Sequence, residues 1–200
     1  MKNRYFKWHL PVMFLLALAG CSLAPPRPVA ISLPPQPIIK DSFSLLPLNE
    51  GGWLVVGQGS DVLSLGTRGA VPGETRIVNG FVRPLPTDMT DAGFLAFAKS
   101  VKKMEPPKRY ELLKQEAQED NSTAKNCAKV RATLKDLAPN VFTKRTDPMI
   151  IDSLYWVCKH PDGKSAVIIE YSHRLYAGNE EKTFEKNAET VFRGLEFVAR

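Results

Sequence analysis

Five residues in the second half of the chain carry side chains that could do chemistry: Cys127, Cys158, His160, Asp162 and His173. Thiolate, imidazole and carboxylate are zinc ligands, so a metal site is one reading. The spacing argues against it. No Cys-x-x-Cys or His-x-x-x-His pair occurs, and a bond between Cys127 and Cys158 would consume both thiolates. Ser172-His173 suggests a nucleophile and its base, but adjacent strand residues point to opposite faces of a sheet, which separates them. The stretch GQGSD at 57–61 contains a Gly-x-Gly, yet no helix opens after it to cradle a phosphate. Its Ser60 lacks the Gly-x-Ser-x-Gly elbow of a hydrolase nucleophile. No catalytic residue, metal ligand or cofactor is therefore assigned from the sequence.

Cys21 stands apart. It follows MKNRYFKWHLPVMFLLALAG, in which Lys2, Arg4 and Lys7 precede an apolar run over residues 10–19. A spanning helix needs about 20 apolar residues, and this run is about half that, so it reads as an export signal rather than a transmembrane helix. Leu18, Ala19, Gly20 and Cys21 resemble the bacterial lipoprotein lipobox at all four positions. The resemblance implies diacylglycerol on the Cys21 sulfur, cleavage before it and acylation of the new amino group. Acyl chains contribute about 0.8 kcal/mol per buried methylene, and two chains already anchor stably. The residue after the cysteine is Ser22 and not Asp, which by the sorting rule of Gram-negative lipoproteins implies the outer membrane.

Export also sets the chemistry of the remaining thiols. With Cys21 lipidated, Cys127 and Cys158 are the only two left in an oxidising compartment, so a disulfide between them is the expectation, with free buried thiols as the rival. The chain's 27 basic and 21 acidic side chains give +6, and removing Lys2, Arg4 and Lys7 with the signal leaves +3. That balance is too mild to argue for nucleic acid.

The elements follow. Residues 1–20 are the expected signal and 21–40 a lipidated, proline-rich tether. Pro25, Pro26, Pro28, Pro34, Pro35 and Pro37 restrict it to extended conformations that at about 3.1 Å per residue would reach some 40 to 50 Å. Residues 41–200 are long enough for one domain. Within them, 53–56 and 62–65 read as a hairpin and 74–82 as a strand with Ile77 and Phe81 on one face. A helix capped by Thr90 carries Phe94, Leu95, Ala98 and Val101 and ends at Pro106-Pro107. Residues 108–138 fit helix or strand equally: Tyr110, Leu113 and Ala117 recur helically, whereas 129–134 alternate.

Asp162-Gly163 between two β-rich runs is a hairpin turn. Centring the turn there places Cys158 opposite Val167, Trp156 opposite Ile169, Leu154 opposite Tyr171 and His173 opposite Asp152. The first six then share an inward face, while the face of Val157 and Ile168 is expected to be at most partly covered. A last helix, capped by Asn179 with Glu180 and Glu181 in its first turn, carries Phe184, Ala188, Val191, Phe192 and Leu195.

The expected fold class is α+β, a mainly antiparallel sheet with at least two packing helices. The element order looks like the PsbP and Mog1 type of αβα sandwich, a resemblance of shape alone. The expected function is a lipid-anchored binding or assembly module facing the periplasm, attached to the membrane through Cys21 and serving an envelope partner. An envelope hydrolase and a carrier of apolar ligands are the alternatives. A polar cleft with a perturbed acid or base would favour the enzyme, an apolar cavity the carrier, and an exposed apolar patch the binding module.

Overall fold

Period-two alternation of apolar and polar side chains dominates the chain, and strands are its outcome. The computed structural model describes residues 27–101, 109–120, 126–138, 143 and 145–199. Cys21 and the expected export signal lie outside these residues, as do Pro106-Pro107. In chain order the elements are β1 (Val29–Ala30), β2 (Ile38–Ile39), β3 (Phe43–Leu45), β4 (Leu54–Gln58), β5 (Val62–Arg68), β6 (Thr75–Pro84) and α1 (Asp91–Ser100). There follow β7 (Tyr110–Asp120), β8 (Cys127–Asp136), β9 (Met149–Lys159), β10 (Ser165–Tyr176), α2 (Phe184–Arg193) and β11 (Leu195–Phe197). Eight strands form one sheet in the order β1-β4-β5-β6-β10-β9-β8-β7, and β11-β3-β2 form a second, small one. Every pairing is antiparallel.

This corrects the expected α+β class. The fold is β-rich, and its two helices are each only ten residues long. The ambiguous stretch 108–138 is the main cause, because what is described of it is two long strands, β7 and β8. Their local sequences permit either state. Pairing decides: β8 lies between β7 and β9, which leaves Ala128, Val130, Ala132 and Leu134 buried on one face. A helix in this place would leave one edge of β9 without its ladder.

The sheet has two covered faces. On the first, α2 and the small sheet close over Trp53, Leu65, Val78, Leu154, Trp156, Ile169 and Tyr171. Gly80 sits here because a side chain would not fit, since a Cβ atom would come within 2.8 Å of Phe43. On the second face, Phe94 and Ala98 of α1 pack with Val130, Tyr155, Val157 and Ile168. Val157 and Ile168 are fully buried, against the expectation of partial cover. Thr90 caps α1 as expected, its hydroxyl accepting from Gly93 N at 3.1 Å.

Two further expectations change. Helix α2 begins at Phe184 after Thr183, and Asn179 instead donates to Glu74 at 2.8 Å. The supposed tether is docked along part of its length, with Val29 and Ala30 paired to Val55 and Leu54 and Ile39 paired to Ser44.

Candidate functional site: a polar cleft around His173

Strand β10 runs Val167, Ile169, Tyr171, His173 along the α2 face, so His173 stands where the apolar stripe gives way to polar residues. Across the pair from it on β6 is Arg76, and on the other side is Asp152 of β9. Glu74 immediately precedes β6 and Glu181 precedes α2, so residues from three other segments converge on the ring. The ring is buried, and both its nitrogens lack a hydrogen-bond partner among the described residues. Its Nε2 lies 4.0 Å from Glu74 Oε2, and its Nδ1 lies 3.6 Å from Glu181 Oε2.

The two carboxylates are held by other donors. Glu181 accepts from the Tyr171 hydroxyl at 2.9 Å and from Asn187 Nδ2 at 2.8 Å, and it lies 3.5 Å from Arg76. Glu74 Oε1 accepts from Asn179 Nδ2 and from Tyr176 N. Arg76 also pairs with Glu50 at 3.0 Å and lies over the Trp53 ring. Burial holds the His173 imidazole below its ordinary pKa, and the Glu181 and Glu74 charges only partly oppose that. Burial likewise pushes the Tyr171 phenol up, assisted by Glu181. At neutral pH the ring is therefore uncharged, with one nitrogen to donate and one to accept. A cleft of about 590 Å³ opens over it, bordered by Arg68, Arg76, Glu74, Glu180 and Glu181.

A second polar cleft, of about 240 Å³, lies on the α1 face. Its charges are already paired: buried Asp136 accepts from Arg174 at 2.7 Å and from Arg109 at 3.2 Å, and Glu170 accepts from Asn79. The His173 cleft is the one that presents an unsatisfied buried group.

The residues singled out in the sequence fall as follows. Cys127 and Cys158 are cross-strand partners joined by a disulfide. His160 serves the hairpin: Nδ1 accepts from Asp162 N at 3.2 Å, which leaves Nε2 to donate to Val198 O at 3.1 Å. Asp162 accepts from the backbone of Lys164 and Ser165 and from the Ser165 hydroxyl. Those bonds, with His160 nearby, outweigh burial and lower its pKa to about 2. His173 does stand opposite Asp152, but Asp152 accepts from Thr133, and the ring's nearest carboxylates are Glu181 and Glu74. Ser172 is on the other face, and Ser60 is at the far end of β5 from Thr67, the residue paired with Arg76. Among the described residues no group of three or more His, Cys, Asp or Glu side chains could hold a metal ion.

Glu74, Arg76 and Glu181 escaped sequence reasoning because no local spacing links them. The one available signal was charge at the ends of segments whose other residues face a core. No described helix is long and apolar enough to cross a membrane. No protein-family model matches the chain, and no curated protein matches it.

Proposed function

We propose that this chain is a lipid-anchored envelope protein, held by acyl chains on Cys21 at the periplasmic face of an outer membrane, whose domain binds a small polar ligand in the His173 cleft without turning it over. The observation that carries the binding half is an open cleft of about 590 Å³ whose wall brings His173 together with arginine and glutamate side chains. Arg68 and Arg76 face Glu74, Glu180 and Glu181 around the rim. Both charge signs suit a zwitterion, such as a short peptide.

The depressed pKa of His173 favours one second reading, an envelope hydrolase with His173 as general base. Against it, both thiols are in a disulfide, and Ser172 and Ser60 lie away from the ring. Calorimetric titration of the purified, detergent-solubilised protein with dipeptides and tripeptides separates the two. Saturable binding that His173→Ala abolishes, with the peptide recovered intact, supports the binder. Peptide cleavage supports the hydrolase, and no heat from any peptide rejects the cleft as a zwitterion site. The anchor is tested separately. Cys21→Ser should accumulate as precursor without palmitate label, and mature unlabelled protein from that variant would reject lipidation.

A further inference from the structure

We propose that the β1–β4 edge of the large sheet rests against the membrane surface, so that the lipid anchor orients the domain as well as retaining it. The inference rests on the Cys21 lipidation proposed above and adds to it a surface and an occupant, the bilayer. Chain length supplies the first argument. Val29 is pinned beside Val55, and Ile31 N donates to Trp53 O at 3.0 Å, so β1 is fixed to the sheet. Cys21 and Val29 are eight residues apart, which spans at most about 29 Å even fully extended. Eight strands at about 4.8 Å spacing make the sheet about 34 Å wide. The β1 edge is therefore confined to within about 29 Å of the anchored cysteine, whereas the β7 edge can lie a full sheet width farther away.

The second argument is the surface itself. Nine large apolar side chains are exposed among the described residues, and five of them are Val29, Leu33, Ile39, Val56 and Val62. All five lie on β1, β2, the connection between them, β4 or the start of β5. The ends of these segments are tied together: Lys40 Nζ donates to Gln58, and Asp41 N donates to Ser60 O. Ile39, the most exposed at 71 %, and Val56, at 49 %, suit the headgroup–acyl boundary better than water. Arg27 is exposed and Lys40 half-buried on the same segments, where anionic headgroups would meet them. The opposite edge, β7, carries Glu111, Glu116, Glu119 and Asp120 against a single lysine, Lys114, beside exposed Leu112 and Leu113, a net negative composition that an anionic surface would repel.

Fluorophores at Ile39→Cys, Val56→Cys and, as the control, Leu113→Cys test this in the full lipidated protein, reconstituted in phosphatidylethanolamine–phosphatidylglycerol vesicles that contain a headgroup quencher. Loss of fluorescence at positions 39 and 56 with an unchanged signal at 113 is the expected result. Equal quenching at all three positions, or protection of 39 and 56 by contact between two copies as shown by cross-linking, overturns the proposal. Mass spectrometry of the same samples separates the premise from the inference. Absence of diacylglycerol on Cys21 overturns both, whereas its presence with equal quenching overturns the orientation alone.

Discussion

Trp156 on β9 and Phe192 on α2 stack with ring centroids 4.5 Å apart and planes 1° from parallel. The contact joins the hairpin read from the sequence to the helix read from the sequence, and it is the centre of the first-face core. Trp156 Nε1 donates to Asp120 at the end of β7, and Lys129 Nζ lies 5.4 Å over the ring. Three strands and one helix thus meet at a single indole. Phe192→Ala should lower stability by about 3 to 5 kcal/mol through lost burial and the cavity left behind, measured by urea unfolding. A loss below 1 kcal/mol would mean that α2 is not docked there.

The disulfide between Cys127 and Cys158 crosses adjacent strands and closes a loop with a sequence separation of 31. Its main effect is on the unfolded chain, whose freedom it reduces. Cys127→Ala should lower the melting temperature and cost about 3 kcal/mol. Peptide mapping under non-reducing conditions checks the bond directly. Both thiols freely alkylated in the native protein would contradict it.

Gly163 ends the turn of the β9–β10 hairpin. Its N–H donates to His160 O at 2.9 Å, which places Pro161 and Asp162 at the centre of the turn and leaves Gly163 at φ +68°. A Cβ atom there would meet nothing within 4 Å, so the torsion is the only obstacle. Gly163→Val should cost about 1 to 3 kcal/mol, and Gly163→Asn, which tolerates this region, should cost clearly less. Equal losses for the two would place the effect elsewhere than in the torsion.

The His173 pKa is lowered from 6.5 by burial, so the unfolded chain binds its proton more readily than the folded one. Stability from this group is complete above the unfolded value of about 6.5, and falls as the pH drops from there through the folded value. Imidazole carbon-bound proton shifts should give a midpoint below 6.5. His173→Gln should flatten that part of the pH–stability profile, and an unchanged profile would show that the ring is not the group responsible.

Some of this protein was legible in one sequence because local chemistry sufficed. The strand pairing is symmetric about Asp162-Gly163, although the hydrogen-bonded turn itself centres on Pro161 and Asp162, and the observed pairs of Cys158 with Val167, Trp156 with Ile169 and Leu154 with Tyr171 follow from that symmetry alone. Thr90 announces α1 through its own hydroxyl, and the two thiols left for an oxidising compartment pointed to each other. What remained hidden depends on neighbours distant in sequence. Residues 110–120 could have formed a helix until β8 offered a ladder, and Val157 and Ile168 became core only when α1 covered them. Asn179 has the chemistry of a cap, but Glu74, more than a hundred residues earlier in the chain, captures it. The His173 cleft has the same origin. Its ring, its two carboxylates and its arginine lie on three segments that only the pairing of β6 with β10 and the docking of α2 bring within 4 Å, because burial and charge proximity are properties of the packed sheet and not of any stretch of chain.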